Sequence, residues 1–487
     1  MKKTASLLLC LAVLGLGCVS CKKDDPSESV KKKAETTVSG DPSSDAKPSS
    51  VSDTTEAATT ETTADTDEDL PSGQIRINEE NFPDSGFREY VSEFCDKSGD
   101  GILDEDEIRN VEELTLNYND NSGEMASIKG IEYFTSLKSL DYFGPGPRKE
   151  SLLDLDLSHN TDLTKLDISG GGFTKLDLSH NPNLVEAWIT LSPISELDVS
   201  GCPNLETLSC RDTNIRSLDL SHNPKLVMLD CTFGEYAPDI LTPSLEALDL
   251  SVCPNLQYLL VDGCPLEALD LSACPELLRV DADNCPIGNL DLSRNTKLQY
   301  LDCSGCGLSS LDVSMCPDMV ELRCSDNQLT ELDLSGNSKL EKIYCSGNQL
   351  TKLDVTNNQA ILWIECANNL LTEILVPAES GSEYGYGFDC SSNQLESLDI
   401  SGKRICELRC NGNPLTSLSL GENENLRRLD VRVTSLTSVD VRKCPGLVEA
   451  MRDGSPREVT VNDETFYSAV TDWCAIYYYE GTEIVWQ

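Results

Sequence analysis

The stretch Leu340-Glu341-Lys342-Ile343-Tyr344-Cys345-Ser346-Gly347-Asn348-Gln349-Leu350 holds apolar residues at its first, fourth, sixth and eleventh positions and an Asn at its ninth. The same spacing recurs 21 residues upstream in Met319, Leu322, Cys324, Asn327 and Leu329, and 21 downstream in Ile361, Ile364, Cys366, Asn369 and Leu371. A second motif, Leu-Asp-Leu/Val-Ser, alternates with the first. Its Asp stands at 156, 177, 198 and 219, then at 249 after nine residues inserted near Phe233 to Leu241, and again at 270, 291, 312, 333 and 354. Leu375, Asp399, Ser419 and Asp440 fill the remaining slots, so twelve of fourteen are Asp. A unit of this length is too small to bury a core alone. Stacked units bury a continuous Leu column, and parallel strands about 4.8 Å apart share a ladder of hydrogen bonds. The ninth-position Asn satisfies backbone groups in the bend of each turn. So short a repeat leaves little room for helices, and its outer side is expected to be short extended or 3₁₀ segments.

The pattern strongly resembles the leucine-rich repeat, LxxLxLxxN/CxL, with Cys in the third apolar slot; Ile131-Glu-Tyr-Phe-Thr-Ser-Leu137-Lys-Ser-Leu140 resembles the internalin-type variant. The resemblance covers about residues 111–455 and implies a solenoid of about 14 repeats, α/β by convention but β-dominated, with parallel strands lining a horseshoe. It also implies a binding module, most often for proteins. Solenoid ends must be covered. Residues 74–110 are expected to cap the start. Residues 456–487, with Val459, Val461, Phe466, Tyr477 to Tyr479, Ile484 and Trp486, are expected to cap the end.

Within the first cap, Asp96 to Glu107 place oxygen donors where a twelve-residue EF-hand-like calcium loop needs them. These are Asp96, Ser98, Asp100, the Ile102 carbonyl, Asp104 and a bidentate Glu107, with Gly101 at the sharp turn. Phe87, Tyr90, Val91 and Phe94 recur as on an entering amphipathic helix, and a short exit helix is expected at about Asp104 to Asn110. The bland alternative is an acidic turn that caps the next helix. Calcium sensors and dockerin modules pair two such loops; a single loop reads as one structural Ca²⁺ clamp of weak, extracellular-grade affinity.

The N-terminus reads as an export signal. Lys2 and Lys3 precede an apolar stretch from Ala5 to Gly17, too short to span a bilayer. It ends in Gly17-Cys18-Val19-Ser20-Cys21, which resembles the lipobox of bacterial lipoproteins. Cys21 fits the acylated position slightly better than Cys18. Residues 1–21 would be the signal, and residues 22–73, rich in Ser, Thr, Asp and Glu, a disordered tether. As a coil this tether would span roughly 40 Å. The expected location is the outer face of a cell membrane, held by lipid alone.

The 487 residues carry 83 Asp and Glu against 38 Lys and Arg, a net charge of −45. That balance excludes a nucleic-acid partner, which needs clustered basic residues. Much of the acidity belongs to the tether, the loop and the Asp column. The column's like charges invite a structural reading, in which each Asp accepts hydrogen bonds from nearby backbone or the following Ser, over one of cation capture. Only three histidines occur, His159, His180 and His222, each in the x of Leu-Ser-x-Asn, a solvent-facing position. No nucleophile motif with a His base and no phosphate loop is present, so the chain reads as a non-enzyme. The 22 cysteines fall short of the roughly 8–10% typical of disulfide scaffolds. Sixteen sit in repeat slots. Eight fill the third apolar slot (Cys210, Cys231, Cys303, Cys324, Cys345, Cys366, Cys390 and Cys410). Cys264, Cys285 and Cys306 replace the ninth-position Asn. Cys202, Cys253, Cys274, Cys316 and Cys444 lie in the outer turn.

Residues beside the fourth-position apolar residue point to the concave face. They include Tyr258, Arg279, Tyr300 and Trp363 in one column, and Trp188, Arg323 and Tyr344 in the other. Exposed Tyr, Trp and Arg on a rigid sheet are the residues that most often anchor interfaces. Trp363 and Tyr344, on adjacent turns, are expected to share one aromatic patch. The expectation is a monomer that binds an extracellular protein, with a glycan as second choice and a purely structural envelope role as third.

Overall fold

The computed structural model describes residues 70–117, 125–144, 152, 154–234, 241–461 and 464–487. Each turn lays one short strand into a common parallel ladder, from Glu113–Asn117 through Lys342–Tyr344 to Arg428–Asp430. Strand register follows the repeat: Leu301 lies beside Leu322, Leu322 beside Ile343, and Ile343 beside Ile364. These central residues point inward and are buried, whereas their neighbours on either side face out. Leu340, Ile343, Cys345, Leu350, Leu353 and Val355 of one turn all enter the core, at most 2% exposed. Each fully buried aliphatic side chain contributes about 2 kcal/mol of transfer free energy.

The outer side is extended, as expected, with short parallel pairs such as Lys175–Asp177 beside Glu196–Asp198 and Lys352–Asp354 beside Glu373–Leu375. The Asp column closes these segments. Asp177, Asp270 and Asp333 each accept the backbone N–H two residues on, from Ser179, Ser272 and Ser335, at 2.8–2.9 Å. The Ser179 and Ser272 hydroxyls, then the same N–H groups, hold the Asp177 and Asp270 carboxyls below their ordinary range. The column is therefore a repeated turn lock.

Two Asn ladders run through the bends. Asn348 donates to the carbonyls of Cys324 (2.9 Å), Cys345 (3.1 Å) and Ser346 (3.3 Å), and accepts the Leu329 N–H at 3.0 Å. On the outer turn, Asn337 donates to Val313 and Cys316, but its Oδ1 is buried without a donor.

The start is plugged by helix α1 (Ser85–Phe94), N-capped by Asp84, which accepts from Phe87 N–H at 3.0 Å. Phe82, Phe87 and Phe134 are fully buried there. Gly130 adopts φ 105°, and a Cβ on it would lie 2.3 Å from the Phe82 ring. Tyr90 and Phe94 of this helix have ring centroids 4.8 Å apart, and Tyr90 packs against the same core. At the far end Ala475–Tyr478 adds a further parallel strand beside Arg428–Asp430, and Glu464–Val470 and Arg457–Val461 follow antiparallel. Glu483–Val485 extends the outer side beside Ser438–Asp440.

Candidate functional site

The two columns that flank the inward residue of each strand take their geometry from the ladder. Tyr258, Arg279, Tyr300, Glu321, Lys342, Trp363 and Gly387 stand side by side on successive strands. The adjacent column reads Asp281, Asp302, Arg323, Tyr344, Glu365, Asp389 and Arg409. Tyr258, Tyr300, Tyr344 and Trp363 are half-buried. The guanidinium of Arg279 lies 5.8 Å from the Tyr300 ring, that of Arg323 4.5 Å from Tyr344, and that of Arg409 5.6 Å from Trp363. Each Arg is held by an acid with little exposed side chain: Arg279 by Asp281 at 2.6 Å, Arg323 by Glu321 at 2.7 Å, Arg409 by Glu407 at 2.6 Å. Burial would lift the Glu321 carboxyl, but Arg323 and Lys342 hold it below its ordinary range.

Trp363 and Tyr344 stand diagonally on adjacent strands. Trp363 is registered between Lys342 and Gly387, and Tyr344 between Arg323 and Glu365, so each ring is clamped by a different arginine. The Trp363 indole leans over Gly387, where a Cβ would fall 2.1 Å from its ring, and its Nε1 donates to Glu365 at 3.3 Å. Trp188, beside Asp167 and Ser209, lies several strands away from the rest. Gly387 and Arg409 escaped sequence reading. The insertion around Pro377–Gly385 breaks the repeat spacing just before them; re-phasing on Cys390 and Cys410 would have found both.

Beside the aromatic run lies an acidic group. Asp262 accepts the Asp283 N–H at 2.9 Å. Burial, then repulsion from Asp281, push its carboxyl up to about 7. Burial likewise raises Asp281 and Asp283.

In the N-terminal loop, Asp96 accepts the N–H groups of Gly99 (2.6 Å) and Gly101 (2.9 Å) and the Ser98 hydroxyl (3.0 Å). Burial alone would raise its carboxyl, but these donors hold it low. Glu107 accepts from Lys97, Ser98 and Asp104 N–H groups at 2.8–3.0 Å. Asp104 caps helix α2 (Glu105–Asn110) in a reciprocal capping box with Glu107. Asp100 accepts from Ile102 N–H, and Ile102–Leu103 pairs antiparallel with Ile75–Arg76. The donor set matches a hard cation's needs. As they stand, the carboxylates are turned onto backbone N–H groups, and among the described residues no three His, Cys, Asp or Glu converge to hold a metal.

The serines beside the histidines complete no catalytic chain. Ser158, Ser179 and Ser221 hydroxyls meet Nδ1 of His159, His180 and His222 at 2.9–3.1 Å, while each aspartate contacts the serine rather than the imidazole. Cys18 and Cys21 lie outside the described residues, as do residues 22–69 of the tether.

No family profile matches the chain, and no curated protein is significantly similar to it. Among solved structures it is similar to the functional domain of InlJ from Listeria monocytogenes, which includes a cysteine ladder: 22% identity over 84% of this chain and 99% of that one, TM-score 0.63. It also aligns with the internalin InlF from Listeria monocytogenes (20% identity, 78% and 96% covered, TM-score 0.48) and YopM from Yersinia enterocolitica (22%, 73% and 82%, TM-score 0.48). The likeness to InlJ is one of fold, and the fold is a leucine-rich-repeat solenoid.

Proposed function

We propose that this chain is an exported, lipid-anchored leucine-rich-repeat protein that binds an extracellular protein through its concave face. The observation that carries this reading is the run of half-buried aromatics clamped by acid-held arginines, from Arg279–Tyr300 through Arg323–Tyr344 to Trp363–Arg409. Side chains fixed by a rigid sheet and by their own ion pairs lose little freedom on contact, and Trp, Tyr and Arg dominate interface energies. The acidic group around Asp262 favours a partner with basic side chains beside its apolar contact. Cys21, or Cys18, would carry the lipid. Among the described residues no helix is long and apolar enough to cross a membrane. The Asp96–Glu107 loop would hold one structural Ca²⁺ when its carboxylates leave their N–H partners.

The Trp363 indole over Gly387 also favours a second reading, a glycan stacked on that ring. Both are tested by passing the full chain over immobilised host proteins and over glycans. Trp363→Ala with Tyr344→Ala is expected to lower capture at least tenfold. Unchanged capture of every ligand would overturn the concave-face reading.

A further inference from the structure

Four of the eight cysteines of the third apolar slot turn their thiols to the carbonyl of the next turn: Cys303 to Arg323, Cys366 to Asp389, Cys390 to Arg409 and Cys410 to Asp430, at 3.3–3.5 Å. Cys210 and Cys231 differ. They occupy the same slot on adjacent turns, and their sulfurs face each other at 3.2 Å, both buried. The slot above Cys231 holds Val261, so this two-rung stretch ends at the turn with the inserted residues. A small cavity opens beside the pair, lined by Cys210, Cys231, Cys264, Thr213, Phe233 and Ser244. The Cys264 thiol is engaged elsewhere, donating to the Cys231 carbonyl at 3.2 Å.

We infer that Cys210 and Cys231 form an oxidation site that closes to a disulfide between adjacent turns. The backbone already suits it. Cys210 N–H bonds the Asp230 carbonyl at 2.8 Å, and neighbouring strands about 4.8 Å apart fall within the roughly 4.4–6.8 Å Cα separation a disulfide accepts. The oxidant is a small external disulfide such as oxidised glutathione. One cysteine loses its proton and attacks it, forming a mixed disulfide and releasing one thiol. The second cysteine then displaces the other glutathione, so both S–H bonds are lost, one S–S bond forms, and two electrons and two protons leave as two molecules of reduced thiol. Contact with Cys210 and burial both keep Cys231 protonated, so closure is slow.

The test uses the full-length protein, prepared reduced and then incubated with excess oxidised glutathione at pH 8. It is alkylated in denaturant without reduction, digested, and sequenced by mass spectrometry. The expected result is a Cys210–Cys231 cross-link and an intact mass about 2 Da lower, with Cys303, Cys324 and Cys345 alkylated. The wild-type protein decides the matter without relying on a variant that folds poorly. Alkylation of both Cys210 and Cys231, or a cross-link from either to Cys264, would overturn the inference. Cys264→Ala is expected to leave the link in place; its loss there would also count against the pair.

Discussion

The backbone N–H of Leu308 donates to Oδ1 of Asn327, one turn further along, at 2.9 Å. One turn earlier, Ile287 N–H has only the Cys306 thiol in the matching place and bonds the Cys285 carbonyl of its own turn instead, at 2.7 Å. Leu266 does the same with Cys264. A thiol replaces the donor half of the asparagine, as Cys306 does towards the Ala282 carbonyl at 3.0 Å, but it is a weak acceptor, so the backbone tightens.

Cys306→Asn is therefore expected to recover the missing acceptor. It should take the Ile287 N–H and raise stability by about 0.5–1.5 kcal/mol. Asn348→Ala should lose about 2–4 kcal/mol, because it strips a buried acceptor and three donated contacts at once. Asn337→Ala should cost less, since its Oδ1 satisfies nothing. Urea melts of the three variants check the order.

Gly387→Ala should displace Trp363, because the new Cβ would meet the indole at 2.1 Å while the strand itself tolerates alanine. A red shift of tryptophan emission with a loss of partner capture is expected. An unshifted spectrum would show that the indole does not rest on Gly387.

Calcium at millimolar concentration should raise the melting temperature of the full chain by several degrees over chelator, and Glu107→Gln should abolish the difference. No change between calcium and chelator would leave Asp96–Glu107 a capping turn only.

Asp262 sets a pH dependence. Its folded-state carboxyl titrates at about 7, against about 3.9 in an unfolded chain. The folded state thus binds the extra proton between these values, and stability falls as pH rises from 4 to 7. Asp262→Asn keeps the acceptor for Asp283 N–H and removes the charge. It should gain about 1–3 kcal/mol at pH 8 and nothing below pH 4. Lowered carboxyls such as Asp96 and Asp177 act oppositely, their contribution being lost only as pH falls below about 4.

The solenoid was legible in the chain because every turn repeats the same burial problem. A Leu at 340, Ile at 343 and Cys at 345 must point inward wherever the 21-residue spacing holds, and neighbouring turns then align without further information. The same periodicity placed the aromatic and arginine columns on the outward face of the main ladder, and the Asp column on the separate short strand pairs. What the spacing could not convey is how side chains lean once aligned. Trp363 tilts towards Gly387, Cys231 turns to Cys210 while Cys303 turns to a carbonyl, and Asp262 is half-buried among acids while Asp177 lies exposed beside Ser179. Those choices depend on rotamers and on the carbonyls, charges and gaps offered by the turns above and below. Contacts between turns come into being only when the chain has stacked.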